Sequence, residues 1–207
     1  MVMKAYPSLL AVALLAGTAL SSTAHAQATP GIDPATVQDG VYAVDPYHTR
    51  VLFSVSHLGF TTWYGEFTSV SGSLNLTPKS VAKSTLEIHI PSNTISTSNA
   101  KLDGELKSAQ WFDVAKFPEI VFKAKQIETT GKSFAKVVGD LTLHGVTKPV
   151  TLDVKFNGAG VNPLDKKYTV GFEVSGTIKR SDFGVNTYLP LIGDDVALII
   201  SAGFEHN

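Results

Sequence analysis

From Val51 onward apolar and polar residues alternate in run after run, and a period of two fits only one kind of secondary structure. Val51, Phe53 and Val55 point one way while Ser54 and Ser56 point the other. Successive strand side chains leave on opposite faces, so each such run is a ribbon with one apolar side. The pattern returns in Leu86, Ile88 and Ile90, in Ile120, Phe122 and Ala124, and in Val137, Leu141 and Leu143 around Gly139. It continues through Val150, Leu152, Val154 and Phe156, then Val170, Phe172, Val174 and Ile178 with Gly176 at a bend. The last run is Val196, Leu198, Ile200, Ala202 and Phe204; Ile199, on its opposite parity, suggests that this strand is covered on part of its other face. Turn residues separate the runs at Gly65, Gly72, Pro78-Lys79-Ser80, Gly131-Lys132, His144-Gly145 and Asn162-Pro163-Leu164-Asp165. Turns that short join antiparallel neighbours.

About eight antiparallel strands with one apolar face each must bury that face against a second sheet or against one another. Several runs would extend roughly 26–33 Å at about 3.3 Å per residue, long for a sandwich and natural for the tilted strands of a barrel. The expected fold is therefore all-β, an extended eight-stranded antiparallel β-barrel. Eight strands enclose room either for packed side chains or for one small ligand. One segment breaks the alternation: Leu102, Leu106 and Ala109 stand near helical spacing. This predicts a short helix over about 100–109 with Asn99 as its cap, followed by an aromatic clasp of Trp111, Phe112 and Phe117.

The start of the chain is of another kind. Lys4 precedes an apolar run from Leu9 to Leu20, and Ala24-His25-Ala26 places small residues where a signal peptidase reads. Residues 1–26 read as a signal peptide cleaved after Ala26, because the apolar core, loosened by Pro7 and Gly17, falls short of the ~20 residues a membrane span needs. Residues 27–39, rich in Pro, Thr, Gln and Asp, read as a flexible N-terminal arm, and 40–207 as one domain. The exported product is expected in a bacterial periplasm, soluble and without stable membrane insertion. Lys and Arg number 17 against 18 Asp and Glu, a balance that gives nucleic acid or an anionic bilayer no electrostatic hold. The absence of Cys removes disulfides, thiolate zinc sites, iron–sulfur ligation, a cysteine nucleophile and a lipidated N-terminal cysteine together.

Motifs for catalysis are missing. No Gly-x-Ser-x-Gly elbow occurs, Gly158-Ala159-Gly160-Val161-Asn162-Pro163 ends in Pro where a dinucleotide fingerprint needs Gly, and there is no Walker-type run. His48, His57, His89, His144 and His206 stand in neither His-x-His nor His-x-x-x-His spacing, so no metal site is expected. Glu87 and His89 read as a solvated pair on a polar strand face, and Asp45, His48 and His57 as a hydrogen-bond network at the barrel mouth. Arg180 and Asp182 either hold the polar end of a ligand or pair and cap a turn. Phe60, Trp63, Tyr64, Phe67, Trp111, Phe112, Phe117, Phe183 and Tyr188 lie outside the regular core positions, where they either cap the core or line the entrance to an apolar cavity.

Several motifs together resemble one family. Val44-Asp45-Pro46-Tyr47-His48-Thr49, Val51-x-Phe53-x-Val55-x-His57-Leu58-Gly59, Gly65-x-Phe67 and Gly72-x-Leu74 resemble the opening of the YceI family of exported lipid-binding proteins. Ile95-x-Thr97, Leu106 to Asp113 and Phe117-Pro118-x-Ile120-x-Phe122 continue the likeness. It is strongest in Gly139 to Val150 and in Arg180-Ser181-Asp182-Phe183-Gly184, and it spans about 42–205. Thr49 stands where the family often has Ser, and Trp111 where Phe is usual. The resemblance implies a lipocalin-like barrel that holds a polyisoprenoid lipid, an isoprenoid quinone or a similar long-chain amphiphile in its lumen, for transport or storage, and that is not an enzyme. It transfers no catalytic residue.

Strand parity then assigns residues to that lumen: Phe53, Val55, Phe67, Ile88, Phe122, Leu141, Leu152, Val154, Phe172, Val174 and Leu198. His57, Trp63, Trp111, Phe112, Arg180, Asp182 and Phe183 are assigned to the mouth or polar end. No cofactor is required, and a bound polyisoprenoid or quinone-like lipid is expected. A homodimer would use an edge strand or the arm. Two alternatives stand beside this reading. One is an enzyme acting on an amphiphile with His57 or His48 as general base; the other is a stress or interaction protein whose barrel is filled by Phe53, Phe122, Phe156 and Phe172.

Overall fold

The computed structural model describes residues 29–207; the expected signal peptide lies outside the described residues. Eleven strands join in one antiparallel sheet. They are β1 (Gly40–Val44), β2 (Arg50–His57), β3 (Thr61–Phe67), β4 (Ser71–Leu76), β5 (Thr85–Pro91), β6 (Ile95–Ser96), β7 (Glu119–Gly131), β8 (Phe134–Leu143), β9 (Val146–Val161), β10 (Tyr168–Lys179) and β11 (Ile192–His206). Six of them are halves of longer ribbons. β11 pairs β2 from Val196 to Ser201 and then β1 from Phe204 to His206, so β1 and β2 are one ribbon interrupted at 45–49. β3 and β4 form the next, since they pair with β2 and β1 in turn, and β5 and β6 the third, against β4 and β3. β7 to β11 complete the meander, and the β1–β11 ladder closes it. The result is the closed eight-ribbon antiparallel barrel that the alternation predicts.

The interruption at 45–49 shows how the chain breaks a strand without losing hydrogen bonds. Asp45 Oδ1 accepts from the amides of Tyr47 at 2.9 Å and His48 at 3.3 Å, which turns the chain outward. Thr49 replaces the missing ladder rung: its hydroxyl donates to the Gly203 carbonyl and accepts from the Gly203 amide, both at 3.1 Å. The requirement is a hydroxyl, which Ser would also meet. Asp45 Oδ2 lies 2.5 Å from His48 Nδ1. Burial works to raise the pKa of this carboxyl, but the bonds from His48 and the Tyr47 amide outweigh it and hold it below the ordinary carboxylate value.

Chain direction sorts the connections to two ends. At one end, here the rim, lie the 58–60 and 144–145 turns and the long connections 97–118 and 180–191; at the other, the floor, lie 77–84, 132–133 and 162–167. The short helix α1 (Ala100–Lys107) sits in the 97–118 connection and is capped by Asn99, whose side chain accepts from the Lys101 and Leu102 amides. It ends at Lys107, two residues before the predicted 109, with Ser108 as its C-cap. Part of the floor is closed by aromatic packing. Phe156, Phe172 and Phe204 stack edge to face at 5.9 and 6.1 Å, and Tyr42, fully buried, donates its hydroxyl to the Gln38 carbonyl at 2.6 Å. The described part of the expected arm lies along this end: Gly31 and Ala159 each donate an amide hydrogen bond to the other's carbonyl, at 2.7 and 2.9 Å, and Val37 joins the core. Ile199 is half-exposed on the outer wall, so the cover its parity suggested does not form.

Candidate functional site: an apolar hollow within the barrel

The inner faces of the ribbons enclose a cavity of about 520 Å³, within the range that holds a drug-sized ligand. All eleven residues that parity assigns to the lumen line it. Phe67, Phe122, Leu141 and Leu152 are buried, whereas Phe53, Val55, Ile88, Val154, Phe172, Val174 and Leu198 are only half-buried. These point inward and still keep accessible surface, so the space they face is a hollow and not a packed centre. Small residues make room for it. A Cβ on Gly65 would lie 2.4 Å from the Phe53 ring, and one on Gly139 2.4 Å from the Phe122 ring; each ring lies flat over a glycine on the inner wall.

The few polar groups on the wall are mostly engaged. The Ser84 hydroxyl accepts from the Thr77 amide at 2.9 Å, the Thr97 hydroxyl donates to Asp103 at 2.7 Å, and Thr49 is held by Gly203. Arg180, 5% exposed, lines the cavity beneath the rim. Its Nε, Nη1 and Nη2 donate to the carbonyls of Gly193, Val185 and Ile192 at 2.7–2.8 Å, and its guanidinium lies 5.5 Å from the centre of the Trp111 ring. Burial pulls its pKa down and the charge of Asp194 partly offsets this, but a guanidinium remains charged at neutral pH. Arg180 thus stitches the 180–191 connection to β11.

His57, Trp63, Trp111 and Phe112 line the hollow with Arg180, as the sequence assigns them. Asp182 and Phe183 do not. Arg180–Phe183 is a 3-10 turn, in which residues three apart eclipse. Arg180 and Phe183 therefore face inward together, Phe183 at 1% exposure within the core, while Asp182 is turned out to solvent. The expected Asp45–His48–His57 network also separates. Asp45 and His48 form their pair at the 45–49 interruption, and His57, at the far end of β2, has its ring 5.2 Å from that of Trp63. Glu87 and His89 do pair on the outer wall, where His89 also reaches Glu119 and Glu87 reaches Lys123. Among the described residues no three His, Cys, Asp or Glu gather into a metal cage.

Sequence reasoning missed Leu102 and Glu105 on α1, which line the cavity; Tyr64 and Tyr188, which it left either to cap the core or to line the entrance, are among the lining residues too. Tyr188 is 56% exposed, so at this point the wall of the hollow continues to the outside, whereas Tyr64, between inward Trp63 and Gly65, carries its 61% exposure on the outer face of β3. Leu102 carried a signal in its helical spacing. The two tyrosines carried only their membership in a cluster of off-pattern aromatics.

Residues 42–204 match the YceI-like domain. The chain belongs to that family. A UPF0312 protein of Yersinia pestis (strain Pestoides F) is 37% identical over 154 residues, covering 74% of this chain and 79% of that protein. Among solved structures, Burkholderia cenocepacia BcnA has a TM-score of 0.70 at 22% identity and covers 77% of this chain and 98% of its own. A polyisoprenoid binding domain from Saccharophagus degradans implicated in plant cell wall breakdown has a TM-score of 0.60 at 17% identity, covering 80% and 98%. These two share the fold. In this YceI-like barrel the matched residues run from fully buried Tyr42 to Phe204, from the first ribbon to the last.

Proposed function

We propose that this barrel binds a long-chain amphiphile, a polyisoprenoid lipid or an isoprenoid quinone, and holds it in the hollow for transport or storage in the periplasm. The observation that carries the reading is the lumen itself: about 520 Å³ bounded almost wholly by hydrocarbon, with inward side chains that keep accessible surface. Burying one five-carbon isoprene unit contributes roughly 2–4 kcal/mol, so a few units bind firmly with no hydrogen bond. One methylene changes this by only ~0.8 kcal/mol, so selectivity comes from the length of the hollow and from the polar groups beneath the rim. The shared fold with a polyisoprenoid binding domain supports the same cargo class, and the signal-like start of the chain supports the compartment.

The geometry favours binding over turnover. His48 has a carboxylate partner but lies outside the hollow, and His57 lines the hollow against Trp63. No cofactor is needed for a carrier of this kind. Organic extraction of the native protein followed by mass spectrometry tests the proposal. A prenyl lipid or quinone recovered in near-stoichiometric amount is the expected result. Protein that yields none, and that also fails to take up added long-chain quinone, sinks the reading. Both tryptophans of the chain, Trp63 and Trp111, line the cavity, so quinone uptake is expected to quench intrinsic fluorescence.

A further inference from the structure

We infer that the rim on the β2–β3 and β10–β11 side is a docking surface for a lipid bilayer, through which cargo passes without crossing water. The inference rests on the lipid cargo proposed above. Five bulky side chains stand exposed there: Leu58 at 45%, Phe60 at 86%, Tyr64, Tyr188 and Leu191 at 60%. The two segments that carry them are held together, since the Leu58 amide donates to the Leu191 carbonyl at 2.9 Å and His57 pairs with Ile192. Neither 58–65 nor 183–193 contains a single Asp, Glu, Lys or Arg. The floor is the reverse: its turns carry Lys79, Lys83, Lys132, Asp165, Lys166 and Lys167, and its most exposed apolar residue, Leu164, sits beside three of these.

Backbone geometry adds an independent observation. Leu58 and Tyr188 have φ of 55° and 59°, the left-handed region that Gly, Asn and Asp tolerate and bulky residues do not. The chain holds large side chains at two strained turn positions that leave them about half exposed, although Tyr188 also packs edge-on against Trp111 at 6.0 Å. A surface outside the protein accounts for that choice. The occupant has to be apolar within and weakly charged at its face, because the 58–65 and 183–193 segments offer no charge of their own for an acidic or basic partner to read, the nearest exposed one being Asp182 at their margin. Aromatic and aliphatic side chains settle at the headgroup boundary of a bilayer on these terms. Tyr188 belongs at once to the rim and to the cavity wall, so a docked rim leads from the acyl region into the lumen past its ring.

The test follows uptake of long-chain ubiquinone from phosphatidylcholine vesicles by Trp63 and Trp111 quenching, with decylubiquinone added from solution as the control for binding. Phe60→Asp combined with Leu191→Asp changes two exposed positions that do not line the hollow. Uptake is expected to rise in proportion to vesicle concentration and to fall roughly tenfold or more in the double variant, the factor that about 1.4 kcal/mol sets, with decylubiquinone quenching unchanged. A rate independent of vesicle concentration, a double variant as fast as the parent, or uptake that declines as the protein self-associates through this face would each overturn the inference. If the parent binds no decylubiquinone, the cargo reading fails instead. Docking is then read from sedimentation with the same vesicles: pelleting of the parent alone supports it, and equal behaviour of parent and variant overturns it.

Discussion

The two ends of the barrel close in different ways. The floor closes by packing: Phe156, Phe172 and Phe204 stack against one another, Tyr42 fills the space beneath the first ribbon, and the 29–39 segment is tied to β9. The rim closes by stitching: Arg180 holds one connection through three carbonyls, while Asp194 accepts from the amide and hydroxyl of Ser181 at 2.9 and 2.8 Å. Packing removes water from between the rings, although the hollow reaches Val81 and Ile127 beside them. A stitched loop fixes the backbone and leaves the side chains around the opening free to remain apolar and exposed. That division makes the rim, with its exposed apolar side chains, the more open of the two ends. Burial also pushes the Tyr42 hydroxyl up to about 12, aided by the charges of Tyr168 and Asp39, as expected of a phenol sealed into a closed end.

Removing the packing at the floor should have the larger effect on stability. Phe204, 4% exposed, is the most buried ring of the aromatic stack and packs against Phe172, and Phe204→Ala is expected to cost ~3–5 kcal/mol in urea denaturation. Arg180→Met should cost somewhat less, about 3 kcal/mol, because it strands buried carbonyls without leaving a large void. Hydrogen exchange separates the two ends: amides of 184–191 should exchange faster in Arg180→Met and at the parent rate in Phe204→Ala. Equal loosening of the rim in both variants would show that the ends are not independent.

The Asp45 turn, at the break between β1 and β2, offers a smaller effect with a defined pH range. Its carboxyl is 4% exposed and its folded pKa lies below the ordinary value. A depressed carboxylate pKa contributes stability that is complete above the unfolded value of ~3.9 and is lost as pH falls through the folded value. Asp45→Asn should therefore cost ~1–2 kcal/mol from pH 5 to 8, and the gap to the parent should shrink below about pH 4. A gap that persists unchanged in acid would mean that the amide fails by its shape, not by its charge.

Much of the barrel was legible because strand parity is a strong local signal. Every residue that parity assigned to the lumen faces it, since a closed antiparallel meander leaves alternate side chains only one way in. What parity cannot express is the path of a loop. Asp182 and Phe183 sit next to Arg180 in sequence, yet the 3-10 turn sends one out and buries the other. Asp45 and His57 flank the same strand and looked like one cluster, but β2 carries them to opposite ends. Trp111 and Tyr188, remote in sequence, meet at the mouth because the 180–191 connection is drawn over by Arg180, a tertiary effect with no local pattern. The half-exposed Ile199 fits the template for a covered face without having one, because one off-parity residue does not make a second apolar side.

The smallest expected effect discriminates most sharply between a hollow and a filled barrel. Leucine to alanine in a packed core costs ~2–5 kcal/mol, because the cavity left behind adds to the lost transfer energy. Leu198 is on the inner wall, opposite Phe53 and Gly176, and only half-buried. Its side chain borders space that is already open, so Leu198→Ala widens an existing hollow and creates no new one. The cost should then be about 1 kcal/mol or less in the cargo-free protein, well below that of Phe204→Ala on the same strand. With cargo bound the same substitution should cost more, because the removed methyl groups now have partner atoms. Denaturation of stripped and loaded protein side by side measures both values. A full packed-core penalty in the stripped protein would show that the barrel collapses onto its own side chains when nothing occupies it.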